Sequence, residues 1–331
     1  MKPETFERIS TLVKSCSGIV LTKEKEYLLE SRLEPVARRH GMNNIDDIAA
    51  ALSRSAIGRL ADDVVEAMTT NETFFFRDRT PFTHFSEVML PYIKQARSNE
   101  RKLRIWCAAA SMGQEPYSLA MLLQEDASMR GWRREILGTD ISVEALEKAK
   151  SGMYSQFEVQ RGLPVNLLVK YFKQHGDVWQ ISPEIRSAVQ YRQYNLLKPF
   201  TGFGKFDVVF CRNVLIYFDQ QTKKDILERI AKQMNADSYL VLGAAETVIG
   251  LTDTFSPVPG KRGLFAVNAQ ASGQEPQRRA MTGTDGLQPR APLAAGGSSR
   301  PAAPAATRAA LSPAGARPGL NARPGGLRPK L

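Results

Sequence analysis

Cysteine and histidine are scarce in this chain, with three of each in 331 residues. Cys16, Cys107 and Cys211 are odd in number and far apart, which argues against a disulfide framework and against a zinc site. His40, His84 and His175 are not spaced as metal ligands, and no Ser/His/Asp set stands beside them. No metal is therefore expected. No apolar run approaches the roughly 18 residues of a membrane span. The N-terminus, Met1-Lys-Pro-Glu-Thr-Phe, lacks the apolar core of a signal peptide. A cytoplasmic protein without membrane insertion is expected. Two nucleotide signatures are missing as well: Gly-x-Gly-x-x-Gly, which argues against a dinucleotide fold, and Gly-Lys-Ser/Thr, which argues against a phosphate loop. No internal repeat is visible.

What is present is a globular composition, 43% hydrophobic, with a net charge of +11. That charge suggests nucleic acid until it is mapped. From residue 271 onward nine basic residues face only Glu275 and Asp285, a local balance of +7. The rest of the chain carries about +4 of the +11, modest for its size. The tail from Ala269 is Ala, Pro, Gly, Arg and Ser with few large apolar residues. It cannot bury enough surface to offset its ordering entropy, so disorder is expected over 269–331.

Three regions precede that tail. Residues 1–70 have helical periodicity throughout, over Thr5 to Val13, Lys23 to His40, Asp46 to Leu52 and Ala56 to Met68. Pro35 predicts a kink or early end in the second helix. Residues 71–98 read as a linker and a linking helix. From 99 to 268, strands alternate with helices: Leu103 to Ala110, Glu135 to Gly138, Phe206 to Phe210 and Tyr239 to Gly243 are strands, with an edge strand near Phe265. Alternation of this kind predicts a doubly wound α/β domain. Val178 to Ile181 and Ala188 to Tyr194 alternate like antiparallel strands, which predicts a small antiparallel insert at about 165–193.

Three stretches carry the chemistry. The turn after the first strand, Ala108 to Ser111 with Gly113 and Glu115, offers small residues and a carboxylate where a ligand meets backbone. Glu115 alone reads equally as a first-turn acid complementing the helix dipole. Asp140 ends the second strand, where an acid binds ribose hydroxyls in Rossmann-like sites; its other reading is a helix N-cap. Together the two acids favour an adenosyl ligand without a pyrophosphate, a description that S-adenosylmethionine fits. Finally, Phe206 to Phe210 reads as a buried strand running into Arg212 and Asn213, with a second apolar run, Val214 to Phe218, that carries Tyr217. A buried guanidinium needs an anion or carbonyl partners.

Five ordered stretches then match a family: Asn71-Glu-Thr-Phe-Phe-Phe-Arg77, Trp106 to Ser118, Gly138-Thr-Asp-Ile-Ser142, Tyr194-Asn-Leu-Leu197 and Cys211 to Asp219. Over roughly residues 5–268 the chain resembles the CheR-type chemotaxis receptor methyltransferases. The resemblance implies a Rossmann-like S-adenosylmethionine-dependent methyltransferase domain with a small antiparallel β insert, preceded by an all-α N-terminal receptor-docking domain. It implies cofactor contacts from Asn71, Thr73, Arg77, Glu115, Asp140, Asn195, Leu196, Arg212 and Asn213. Arg77 and Tyr217 would flank the transferred methyl and position the substrate carboxylate. Met112 and Gln114 depart from the Thr and Glu of the common motif, which points to tuning of binding rather than its loss.

The implied reaction is methyl transfer to glutamate carboxylates of chemoreceptors. The implied partner is the receptor's cytoplasmic helical bundle, with Arg32, Arg38 and Arg39 as the docking candidates. Two rivals fare worse. A base methyltransferase usually carries an Asn/Asp-Pro-Pro-aromatic loop where this chain has Arg212-Asn-Val-Leu, so no nucleic acid partner is expected. A silent cofactor sensor would not need Arg77, Asp140 and Tyr217 together. Tyr171 to Trp179 is short for the loop with which some relatives bind a receptor pentapeptide, so the expectation leans against that contact. A monomer is expected.

Overall fold

The computed structural model describes residues 1–55 and 57–268; the tail expected to be disordered lies outside the described residues. Four helices open the chain: α1 (Pro3–Ser17), α2 (Glu26–Arg39), α3 (Ile45–Arg54) and α4 (Arg59–Met68). Apolar residues at helical spacing, such as Ile9, Leu12 and Val13 of α1 and Leu29, Leu33 and Val36 of α2, meet Ile48, Leu52, Val64 and Met68 in one core. Pro35 does not stop α2. It lies on the exposed face, and Ser31, whose carbonyl it leaves without an amide donor, is exposed too.

The three docking candidates separate here. Arg32 donates from Nη1 to the carbonyls of Met68 (3.2 Å) and Thr69 (2.9 Å), acceptors that α4 leaves unpaired at its end. It ties α2 to α4. Arg38 and Arg39 remain exposed, each near one carboxylate, Glu34 at 3.9 Å and Asp63 at 3.7 Å.

The expected linking helix is divided into α5 (Thr80–His84), a π-helical turn (Phe85–Met89) and α6 (Leu90–Ala96). Before it, Phe75 packs edge-on against Tyr154 and Phe172, and Phe76 packs against Phe82.

The α/β region contains β1 (Lys102–Cys107), α7 (Gln114–Glu125), β2 (Arg133–Asp140), α8 (Val143–Ser151), β3 (Met153–Ser155), α9 (Gln156–Gln160), α10 (Val165–Tyr171), β4 (Phe172–His175), β5 (Val178–Ile181), α11 (Pro183–Ser187), β6 (Val189–Gln193), β7 (Phe206–Cys211), α12 (Gln220–Ala231), β8 (Met234–Leu242), β9 (Phe255–Pro257) and β10 (Leu264–Val267). Seven strands form the main sheet in the order β6-β2-β1-β7-β8-β10-β9. β6, β2, β1, β7 and β8 run parallel, and β10 lies antiparallel between β8 and β9. The order reverses between β1 and β7, so their carboxyl ends open the crevice where ligands bind in such sheets. β7 is buried along its whole length; its residues are apolar except Asp207, whose carboxylate is paired with Arg97.

The insert differs from its expected form. The small sheet is β3-β5-β4, all antiparallel, and its strands fall within 153–181 rather than 165–193. β6 belongs to the main sheet, parallel to β2. As an outer strand it has one covered and one open face, so its side chains alternate as an antiparallel strand's would. Alternation reports exposure, not direction. β3, three residues long, carries no pattern to read.

Candidate active site

The crevice at the ends of β1 and β7 holds a cavity of about 880 Å³, its open mouth included. Every site residue named from the sequence lines it: Asn71, Thr73, Arg77, Glu115, Asp140, Asn195, Leu196, Arg212, Asn213 and Tyr217. Ser17, the last residue of α1, and Ile19, just past it, line it as well, so the helical bundle supplies part of the wall.

The turn after β1 is fixed from two sides. The Ala110 amide donates to the Thr139 carbonyl (2.9 Å), and the Ser111 amide donates to Asp140 Oδ2 (2.8 Å). Gly113 enters α7 at φ +92°, and a Cβ there would lie 2.6 Å from the Tyr191 hydroxyl and 2.9 Å from Ala149 Cβ. Only glycine fits both the conformation and the space.

Asp140 is not the cap of α8; Ser142 is, accepting from the Ala145 amide (3.0 Å). The other Asp140 oxygen accepts from the Ser142 amide (3.0 Å). The carboxylate keeps acceptor capacity beyond these amides for a ligand hydroxyl. Burial pushes the Asp140 carboxyl above its ordinary value, while the amide donors pull it back.

Arg212 answers the question its burial poses. Its Nη1 donates to Glu115 Oε2 (2.6 Å), and its Nη2 donates to Asp78 Oδ2 (2.7 Å) and the Arg77 carbonyl (3.0 Å). Glu115 thus sits in the first turn of α7 and also anchors the pocket floor. Burial raises its carboxyl, and Arg212 acts in the opposite direction. Arg212 Nε is buried without a partner, an orphan donor in a residue that lines the cavity. Cys107 and Cys211 stay protonated thiols, since burial pushes both well above their ordinary values.

The backbone leading to Arg77 is strained. Phe76, Asp78 and Arg79 all have positive φ, +53°, +67° and +47°. The Ser118 hydroxyl, which accepts from the Phe76 amide (3.0 Å), and Arg212 hold this turn. Arg77 Nη1 donates to the Glu72 carbonyl (2.6 Å).

Asn213 is a second strained residue, at φ +57°. Glu246 fixes it by accepting from five amides: Asn213 (2.8 Å), Val214 (3.0 Å), Leu215 (2.7 Å), Ile216 (3.3 Å) and Gly243 (2.7 Å). The resulting 3₁₀ turn, Leu215–Tyr217, presents Tyr217 to the cavity. The Tyr217 carbonyl accepts from the Val20 amide (2.9 Å), a further tie to the bundle. Asn195 lines the cavity, but its side chain is engaged with the Cys16 carbonyl (2.6 Å) and the Leu197 amide (2.9 Å). Asn71 donates to Thr69 Oγ1 and Ser142 Oγ, both 3.2 Å.

Sequence reading missed Asp78, Glu246 and Glu66. Glu66 of α4 accepts from the Ser142 hydroxyl and from the Val143 amide (2.9 Å). The signals were faint: an acid directly after Arg77, and an acid three residues past Gly243 at the end of β8. Among the described residues no group of three or more His, Cys, Asp and Glu could hold a metal, and no helix is long and apolar enough to cross a membrane.

Residues 71–264 match the CheR methyltransferase S-adenosylmethionine-binding domain, and residues 4–69 match the CheR methyltransferase all-alpha domain. The chain belongs to the CheR methyltransferase family. It is 39% identical over 265 residues to chemotaxis protein methyltransferase Cher2 of Pseudomonas putida, covering 78% of this chain and 96% of that one. Chemotaxis protein methyltransferase 1 of Pseudomonas aeruginosa is 40% identical with the same coverage. The chemotaxis protein methyltransferase of Vibrio anguillarum is 37% identical over 79% of this chain and 96% of its own.

The CheR cofactor is S-adenosylmethionine, and the residues present fit it. Asp140 keeps acceptor capacity that the ribose hydroxyls of a bound cofactor would use. Ile141 and Leu196 line the cavity with apolar surface, as an adenine base would require. The orphan Arg212 Nε offers a donor in need of an acceptor.

Proposed function

We propose that this protein methylates the γ-carboxylates of glutamates on the cytoplasmic helical bundle of a chemoreceptor, leaving methyl esters and S-adenosylhomocysteine. The observation that carries the reading is the single cavity in which Asp140, the Glu115–Arg212 pair, Arg77 and Tyr217 meet. Bound S-adenosylmethionine supplies an electrophilic methyl on its sulfonium.

The chain's own residues do the rest. Asp140 and the backbone around Leu196 hold the adenosyl part, and Arg212, Asn71 and Thr73 line the amino-acid part. Arg77 steers the substrate carboxylate by charge, and the Tyr217 hydroxyl orients one of its oxygens. A glutamate with an ordinary pKa of about 4.3 is already ionised at neutral pH, so no general base is required. What the site provides is alignment and the exclusion of water. Too tight a grip by Arg77 would stabilise the ground state, so a half-buried guanidinium already engaged with Glu72 suits the task.

Arg38 and Arg39 on α2 are the docking residues in this reading, with the enzyme acting as a monomer in the cytoplasm. The turn between β4 and β5 is tight, which supports a member that does not depend on a receptor pentapeptide. Incubation with methyl-labelled S-adenosylmethionine and receptor-bearing membranes tests the function. Base-labile label on the receptor is expected; label on RNA or DNA alone overturns the reading.

A further inference from the structure

Beside the cavity, two guanidinium groups pack on the Phe74 ring. Arg77 is 5.7 Å and Arg161 4.3 Å from the ring centroid. Arg77 and Glu72 line the cavity. Arg161 does not; it follows α9, beside the small sheet, and reaches the rim by donating from Nη2 to Glu72 Oε1 (2.7 Å). That pair stands in solvent, with Arg161 41% and Glu72 58% exposed, so it is weak and readily exchanged. The position of Arg161 is nonetheless fixed. Gly162, at φ +85°, lies so close to the Phe75 carbonyl that any Cβ would collide with it. One turn before Arg161, Phe157 is 70% exposed, and its carbonyl accepts from the Arg161 amide (3.2 Å).

A preset arginine outside the pocket, a weak resident carboxylate on it and an exposed ring beside it are what an acidic amphipathic helix would need in order to bind. We propose that Arg161 is a specificity residue for the protein substrate. It takes a second carboxylate of the receptor helix in exchange for Glu72, while the target glutamate enters beside Arg77 and Phe157 meets the helix's apolar face. This rests on the receptor-glutamate reading above.

The test compares wild type, Arg161→Ala and Arg161→Lys in steady-state methylation of receptor-bearing membranes, with S-adenosylhomocysteine affinity measured by calorimetry. Arg161→Ala should raise KM for the receptor about tenfold with kcat and cofactor affinity unchanged, and flatten the rise of KM with salt. Arg161→Lys should recover part of the loss, because charge is kept and the fork is not. An unchanged KM in Arg161→Ala overturns the proposal. So does a parallel loss of cofactor affinity, which would mark Arg161 as structural. If wild type itself leaves no base-labile label on the receptor, the substrate reading fails and this inference falls with it.

Discussion

Two arginines, Arg212 buried and Arg97 half-buried, sit at opposite ends of the main sheet. At the amino end, Arg97 donates to Asp207 (3.1 Å) and doubly to Asp237 (2.9 and 2.5 Å). Asp207 also accepts from the Arg104 amide and the Asn235 side chain. Each of that guanidinium's three nitrogens has a partner within the fold. At the carboxyl end, Arg212 is also paired with two carboxylates, but its Nε is left without a partner, and its carbonyl partner belongs to a strained turn. The same chemistry closes one end and leaves the other incomplete. Burial of charge alone does not mark a site; an unmet donor beside a cavity and strained backbone do.

The largest expected difference separates the two arginines. Arg97→Met strands two buried aspartates and should cost about 3–5 kcal/mol in urea unfolding, with kcat near wild type. Arg212→Met should cost a similar amount and also lower kcat of the folded protein by about a hundredfold or more, because the pocket floor is lost. Next comes Asp140→Asn, expected to weaken cofactor affinity by about ten- to a hundredfold in calorimetry. Burial holds the Asp140 carboxyl above its ordinary value, so wild-type affinity should fall as pH is lowered through that raised value. The variant's affinity should be flat there.

Glu246→Gln keeps the shape but not the charge that gathers five amides. About 1–2 kcal/mol of stability should be lost, with a roughly tenfold fall in kcat, because Tyr217 is no longer held in place. Charge reversal at Arg38 and Arg39 should raise KM for the receptor while cofactor affinity stays constant. The smallest effect belongs to His84, near the amino-end network in sequence but not part of it. Burial lowers its pKa below the ordinary 6.5. The folded state therefore binds fewer protons than the unfolded one, and stability should be full above about pH 6.5 and decline as pH drops below it. His84→Gln should flatten that slope in unfolding titrations.

The contrast also explains what the sequence could reveal. Strand ends with polar residues in apolar surroundings, such as Asp140 and Arg212-Asn213, were legible because the local pattern was broken there. Glu115 was legible through the small residues before it. Asp78 and Glu246 were not, since each acts on partners far along the chain, 134 residues away for Asp78 and Arg212. β6 was misread because its half-covered face mimics an antiparallel strand. Arg32 looked like its neighbours on α2, and only the end of α4 shows that its donors are taken.

The most direct measurement runs wild type, Arg97→Met and Arg212→Met side by side with labelled S-adenosylmethionine and receptor-bearing membranes, scoring methanol released from the receptor by mild base. The account predicts release with wild type and with folded Arg97→Met, and none above background with folded Arg212→Met. Undiminished release from Arg212→Met would contradict it.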